Sequence, residues 1–317
     1  MLEILCDAGT WDRRDLEATP FPDLTPDSLP TWTPDLRQES RSSRLPWLKH
    51  YFRQRLASKT LKFDPAAAPI TVVKTCRGFS LDIEVLVIDN IKAVMPAPEF
   101  PSAKIFDPQK ENSFDAVVNH VKWCRQVYEA HRNPTGYPIS FRPEGDPDTP
   151  FWATVVSFSK YTGTPSAIRG AILTAEGLRD MSRLFREYCL DDGGAFSGSR
   201  ESQNIDIAVR RAQLLKRMGP EASQKNFDAR MALDMYDIIR ETMDGVRFIV
   251  THDGFVGLTP PTRLFNCDII AMIRGCRIPF ILRPVTGTDS YALVGSCYIF
   301  GMMDAIIQGN YKTRHIF

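Results

Sequence analysis

Length, composition and charge describe a globular protein without a strong electrostatic preference for any partner. The chain has 317 residues, of which 43% are hydrophobic and 24% are charged, enough for one large domain or two ordinary ones. Lys and Arg number 39 against 38 Asp and Glu, so the chain lacks the positive excess that drives non-specific binding to nucleic acid or anionic membranes. We expect neither kind of partner.

Two further features indicate a reducing compartment. The N-terminus has no basic lead or apolar run of the secretory type, and the most apolar stretch, at 297–307, is interrupted by Asp304 and is far shorter than the roughly 20 residues of a membrane span. The seven cysteines are scattered without a C-x-x-C pair, which is typical of reduced thiols. The sequence predicts a cytoplasmic location, with the nucleus as the open alternative.

The N-terminal part begins with an extended segment. Residues 19–35 contain five prolines, which removes donors and opposes both helix and central strand. Trp32 lies within this segment and is expected to dock on a neighbouring surface, since an indole buries a large area. A short amphipathic helix is predicted over 43–57.

Strands and then helices follow. The β-branched run at 70–74 and the alternating run at 79–88 predict two strands with Gly78 as the turn, the second buried on both faces towards its end. Apolar residues recur with helical spacing between Phe114 and Tyr128, and Thr174 is a candidate N-cap for a helix that ends near Gly193. Two more helices are predicted over 205–218 and 226–243, preceded by a Gly- and Ser-rich loop at 191–203.

The last seventy residues change to a period of two. Apolar runs at 247–250 and 255–258 flank Asp253-Gly254, a common hairpin signal. A second hairpin is predicted from 268–273 and 278–283, and a fifth strand from 291–300. Five short strands with Gly and Pro between them favour a small closed or nearly closed barrel, because closure removes exposed strand edges.

These elements together predict an α+β fold in which a helical layer is inserted between early strands and a C-terminal antiparallel β-barrel-like module. The early pair cannot be stable alone, so we expect it to share a sheet with strands after residue 246. The predicted divisions are an extended proline-rich segment over 1–40, strands and helices over 41–245, and the β module over 246–317.

Several motifs resemble the C-terminal region of fungal heterokaryon incompatibility (HET) proteins. In chain order the stronger ones are RFIVT at 247–251, DGFVGL at 253–258, PFILRP at 279–284 and YALVGSCYIFGMMD at 291–304. Weaker matches are LPTWTPD at 29–35, GFSLD at 78–82 and PFWAT at 150–154. The chain departs from the family pattern at Leu36, at Cys267 before Asp268, and at Ala305-Ile306.

The resemblance implies an allorecognition setting. In that family the tail follows a signalling domain related to TIR domains, and this chain begins only about thirty residues before the Trp32 motif, so we expect that domain to be lacking. The implied function is a non-catalytic accessory region that acts through protein contacts, with no cofactor. The alternatives are a hydrolase or transferase with an unrecognised Cys or Ser nucleophile, and a degenerate fragment without independent function.

No catalytic, cofactor-binding or metal site is predicted, although five groups of residues are candidates. Ser197 lies in a Gly-rich loop whose spacing does not fit a nucleophile elbow. His120, Cys124 and His131 share one edge of a helix, which could suggest zinc, but a packing role is favoured because structural zinc sites need closely paired ligands. His252 and Asp253 are adjacent at a hairpin tip, where a turn role is favoured.

The remaining candidates are the barrel cysteines and a group of arginines. Cys267, Cys276 and Cys297 are interpreted as small buried hydrophobic residues, and no His can be assigned to activate them. Arg274, Arg277 and Arg283 could form a basic face for an acidic partner or nucleic acid around the second hairpin, although a solvated hairpin tip explains the first two adequately.

Overall fold

The computed structural model describes residues 71–75, 78–98, 100, 113–133, 147–157, 164–165, 172–173, 175–190, 223–274, 278–302 and 312–316. Several predicted features lie outside these residues. They are the docked Trp32, the helix at 43–57, the Thr174 cap, the 191–203 loop with Ser197, the helix at 205–218, Cys276 and Arg277.

Four α-helices build one layer of the described structure. They are α1 at Ser113–His131, α2 at Thr149–Val155, α3 at Ala175–Phe185 and α4 at Ser223–Met243, and α3 continues into a π-helical turn at Arg186–Leu190. The apolar stripe of α1 from Val117 to Tyr128 is buried as its spacing predicts. Helix α2 was not predicted as an element, and it buries Phe151 and Trp152 completely behind a proline in its first turn.

The strands are, in chain order, β1 Thr71–Thr75, β2 Gly78–Val94, β3 Thr164–Pro165, β4 Ile172–Leu173, β5 Arg247–Thr251, β6 Val256–Thr259, β7 Ile269–Ile273, β8 Pro279–Pro284, β9 Ser290–Ser296, β10 Tyr298–Ile299 and β11 Lys312–Ile316. Within the described part of the chain, β3 and β4 pair with each other and the other nine strands form one sheet. The predicted hairpins β5–β6 and β7–β8 are both present.

Strand β2 joins the early part of the chain to the C-terminal strands. Val85 pairs with Ile273 of β7 on one side and with Lys312 of β11 on the other. Pairing from β7 through β8 and β9 to β11 returns to β2, which closes a ring of strands. Further along, β2 also pairs with β5. The prediction that the early strands share a sheet with those after residue 246 is confirmed.

Three further strands extend the same sheet from the last residues of β2. Strand β10 follows β9 after Cys297 and pairs with β6, while β6 pairs with β5 and β5 with β2. Strand β2 therefore pairs with β11 near its start and with β5 near its end. This arrangement agrees with the predicted α+β class and its barrel-like module.

Strands β5 to β10 bury both of their faces. In β5, Phe248 and Val250 belong to a large cluster shared with the helices, whereas Ile249 belongs to a second cluster. The same alternation occurs in β7 and β8, where Ile270 and Ile281 join the second cluster. A strand covered on both faces carries a continuous apolar sequence, and the all-buried pattern of β7 fits this rule.

The structure differs from the sequence predictions in several details. Gly78 is the first residue of β2, paired with Thr75, rather than the turn itself. Val87 is 43% exposed, although this part of the strand was expected to be buried on both faces. Val87 is the last residue before a register shift in the pairing with β7, so the regular ladder on this side is interrupted directly after it.

Two further differences concern the end of the chain. The single strand predicted over 291–300 is two strands, because the pairing partner changes from β8 to β6 after Cys297. Strand β11 was not predicted, and its pairing with β9 is parallel in an otherwise antiparallel module.

Candidate functional site

The structure places a cysteine and a histidine in contact on α1. His120 Nε2 lies 3.4 Å from Cys124 Sγ, one helical turn away, and the His120 ring packs edge-on against Phe100 at 5.9 Å. His131 is partly buried at the end of the same helix. In the described part of the chain, no three His, Cys, Asp or Glu side chains are grouped closely enough to hold a metal ion.

Burial keeps both members of this pair uncharged. Cys124 has no exposed surface, and burial raises the pKa of its thiol far above the ordinary value. Burial also lowers the pKa of His120 from 6.5 to about 4. A nucleophilic cysteine needs its thiolate form and access to a substrate. The two side chains are as close as those of a catalytic dyad, but the thiol is neutral and a substrate cannot reach it.

The other thiols are in similar surroundings. Cys297 is fully buried, and burial raises its pKa well above the ordinary value. Cys189 is also buried with a raised pKa. Cys267 is partly exposed, and its pKa is raised by burial and then by the neighbouring charge of Asp268. None of these shifts favours the thiolate.

His252 and Asp253 lie at the tip of the β5–β6 hairpin and are both exposed. Their backbone amides, not their side chains, make the contacts that hold the tip. His252 N donates to the Asn90 carbonyl oxygen and Asp253 N donates to Asp89 Oδ2 at 2.6 Å. The hairpin tip is thus attached to β2.

The suggested basic face around the second hairpin is wrong for Arg283. Arg274 is half exposed and forms an ion pair with Glu84 at 2.7 Å, but Arg283 has no exposed side-chain surface. Its guanidinium faces inward because it is bound by Asp268, which is equally buried. Arg283 therefore contributes no charge to a surface.

The buried pair of Arg283 and Asp268 is bidentate and nearly saturated. Arg283 Nε donates to Asp268 Oδ1 at 2.7 Å and Nη2 donates to Oδ2 at 2.9 Å, and the same Nη2 donates to the Arg263 carbonyl oxygen. Asp268 Oδ2 also accepts the Phe265 amide at 2.9 Å. The Phe265 ring lies 4.5 Å below the Arg283 guanidinium. Such planar geometry compensates for desolvation only when most donors and acceptors are paired.

Sequence reasoning missed this pair, although the predicted hairpin contained the signal for it. The β7–β8 register pairs Ile269 with Leu282, so continuing it by one residue places Asp268 opposite Arg283. Opposite charges at directly facing positions of a hairpin form a cross-strand pair. Applying this rule to the predicted strands 268–273 and 278–283 would have found the contact, though not its burial.

A second ionic cluster connects three elements of the helical layer. Asp148, immediately before α2, lies 3.0 Å from Arg125 Nη2, 3.7 Å from Arg132 Nη1 and 3.4 Å from Arg186 Nη1. Arg125 also pairs with Glu129 at 2.9 Å. We call the three arginines around Asp148 the arginine cluster. No spacing rule within one element predicts it, because the helices bring its members together.

An exposed tryptophan lies on the same helix as these groups. Trp123 of α1 is 51% exposed, while its neighbour Cys124 is completely buried.

No helix among the described residues combines the length and the apolar character needed to cross a membrane.

Comparison with known proteins gives one result. Residues 216–317 match the family model described as the Het-6 beta-barrel domain, a range that contains α4 and β5 to β11 but not β2. No curated protein and no solved structure matches the chain significantly. The match confirms the resemblance noted from the sequence motifs. The C-terminal third of this chain is thus similar to the Het-6 beta-barrel domain of HET-type proteins.

Proposed function

We propose that this chain is a non-catalytic accessory region of a heterokaryon incompatibility protein and acts in allorecognition by contacting a protein partner. The Het-6 beta-barrel match over residues 216–317 supports the biological setting. A fold alone does not specify an activity, so the molecular part of the proposal depends on the chemistry of individual side chains.

The observation that carries the proposal is the state of the Cys124–His120 contact. Burial favours the neutral form of each group, whereas an activated cysteine requires a thiolate beside an imidazolium or a general base that substrate can reach. The contact therefore fits a role in packing α1 against the core better than a role in catalysis.

The exposed face of α1 supports the role in contacts. Trp123 presents about half of its surface to solvent, and tryptophan is enriched among residues that contribute most to binding at protein interfaces. Cys124, the next residue, is buried in the core. Substitutions at Trp123 and at Cys124 therefore test a surface role and an internal role of α1 independently.

The second candidate is a hydrolase or transferase with Cys124 as the nucleophile. The 3.4 Å separation between His120 Nε2 and Cys124 Sγ favours it, and it would require α1 to move so that the thiol becomes accessible. This candidate and the leading proposal make opposite predictions for the effects of substituting Trp123 and Cys124.

The test replaces the chain in its host by the variants Trp123→Ala and Cys124→Val and scores the incompatibility reaction between paired strains. We expect Trp123→Ala to weaken the reaction, because it removes an interface side chain, and Cys124→Val to retain it, because valine fills a similar volume. Thermal unfolding of both purified variants serves as the control for folding.

Two outcomes would contradict the proposal. Loss of the reaction in Cys124→Val with an unchanged unfolding midpoint would favour the nucleophile. An undiminished reaction in Trp123→Ala would remove the proposed contact surface on α1.

A further inference from the structure

The arginine cluster holds more positive charge than its carboxylates neutralise. Among the residues that the structure describes, three guanidinium groups, of Arg125, Arg132 and Arg186, face the carboxylates of Asp148 and Glu129, which leaves one net positive charge within this set. Asp148 is only 13% exposed, so the charges interact in surroundings less screened than open water. Cations that converge in this way repel one another unless a further anion is present.

The donors of the cluster are also incompletely used. A guanidinium carries five N–H groups. Among the described residues, Arg186 makes a single long contact of 3.4 Å with Asp148, and the 3.7 Å approach of Arg132 is beyond hydrogen-bonding distance. Arg132 is 42% exposed and Arg186 is 30% exposed, so their remaining donors are accessible from solvent.

The tryptophan beneath Arg186 adds a second observation. The Arg186 guanidinium lies 5.9 Å from the centroid of the Trp152 ring, and the Trp152 Nε1 donor is buried without a partner among the described residues. A buried donor without an acceptor is costly. A donor without an acceptor among the described residues therefore belongs to the ring that Arg186 covers.

A purely structural role accounts for only part of this arrangement. Asp148 needs one well-placed arginine to attach the start of α2 to α1, and Arg125 already provides it at 3.0 Å. The other two arginines approach the same carboxylate at longer distances from two different elements. Their placement suits a group that accepts hydrogen bonds from several directions at once.

We propose that Arg125, Arg132 and Arg186 form a binding site for a phosphate group. A phosphate oxyanion offers several acceptor oxygens, and guanidinium forks match its geometry. The excess positive charge of the cluster supplies the electrostatic attraction. The phosphate is free or is esterified to a small molecule, two sources that share this chemistry.

The site is separate from the contact surface proposed above. Arg125 and Arg132 follow Trp123 by two and nine residues, which at 100° per residue places both on the opposite side of α1. Failure of the phosphate site would therefore leave the proposed contact surface untouched, and the reverse also holds.

The test measures binding of inorganic phosphate to the full chain by calorimetry, at constant ionic strength with chloride as the reference anion. We expect a dissociation constant of about 1 mM or lower and a phosphate-dependent rise of the unfolding midpoint. A second titration with glycerol 3-phosphate distinguishes the sources, since tighter binding of the ester indicates that a small-molecule ester is the ligand.

Variants assign the binding to these side chains. Arg132→Gln should weaken phosphate binding about tenfold by removing one charged donor, without lowering stability in the absence of phosphate, because Arg132 is the most exposed of the three. Arg274→Gln, which removes a similarly exposed arginine from the barrel, is the matched control and should leave binding unchanged.

The proposal is overturned if neither anion binds at concentrations of about 10 mM. It is equally overturned if Arg132→Gln binds phosphate as tightly as the native chain, or if Arg274→Gln weakens binding to the same extent, since non-specific charge attraction would then explain the effect.

Discussion

The most consequential single side chains in the barrel are Arg283 and Asp268. Each is completely buried and each depends on the other for its charge balance. Removing one partner leaves an uncompensated buried charge, which is more damaging than losing the pair itself. The pair therefore links the start of β7 to β8, and replacing one member by an uncharged residue breaks this link.

We predict that Arg283→Met lowers the free energy of unfolding by about 3–5 kcal/mol, measured by denaturant titration. Arg274→Gln, which breaks the exposed pair with Glu84, should cost no more than about 1 kcal/mol. Adding Asp268→Leu to Arg283→Met should recover part of the loss because both charges are then absent. A single variant as stable as the exposed control would show that the pair is not desolvated.

His120 gives the helical layer a predictable dependence on pH. Burial lowers its pKa from 6.5 to about 4, so between these values the unfolded chain binds a proton that the folded chain does not. Stability is then complete above pH 6.5 and falls as the pH decreases towards 4, by up to about 3 kcal/mol.

Denaturant unfolding of the native chain and of His120→Gln at pH 7 and pH 4.5 measures this contribution. We expect the native chain to lose more stability over the interval than the variant, because glutamine does not titrate. Equal losses in the two proteins would indicate that other groups produce the pH dependence.

At the scale of elements, two glycines of the β5–β6 hairpin determine how closely its neighbours approach. Gly254 has a φ of +91°, and a Cβ there would lie 2.7 Å from the Asn133 backbone nitrogen at the end of α1. A Cβ on Gly257 would overlap with the carbonyl oxygen of Tyr298 in β10. The hairpin therefore contacts both the helical layer and β10.

We predict that Gly257→Ala lowers the unfolding free energy by about 1–3 kcal/mol, because β6 and β10 must separate to admit the methyl group. Gly287→Ala is the matched control. Gly287 has a φ of +74° but no atom near an added Cβ, so only backbone strain of about 1 kcal/mol is expected. Thermal unfolding compares the two, and a smaller effect at position 257 would contradict close packing of β6 on β10.

At the scale of the whole molecule, the barrel extends beyond the segment that matches the family model. The match begins at residue 216, yet β2, which lies more than a hundred residues earlier, pairs with β5, β7 and β11. Without β2, each of these strands exposes an unpaired edge, and the ring of strands cannot close.

We predict that a fragment of residues 216–317 lacks a cooperative thermal transition and that a peptide of residues 71–94 restores it when added in trans. Dispersion of amide resonances with and without the peptide measures the effect. As a control, a peptide of the same composition in scrambled order should have no effect. A fragment that folds cooperatively alone would show that β2 is dispensable.

Some parts of the fold were accessible from local sequence. The stripe on α1 and the alternation in β5 and β6 depend on residues two to four positions apart, and hairpin β7–β8 depends on a short turn. Their predicted positions agree with the structure to within a few residues. The register of that hairpin also contained the Asp268–Arg283 contact, which a cross-strand comparison would have identified.

By itself, the sequence determined the α+β class, the positions of α1, α3, α4 and β2, the two C-terminal hairpins and the resemblance to HET-type proteins. Only the tertiary structure decided that polar β11 is a strand, that Arg283 is buried, and that three arginines meet at Asp148. These features depend on the free energy of contacts between segments that are distant along the chain. The periodicity of one segment does not indicate which remote segment will pair with it or cover it.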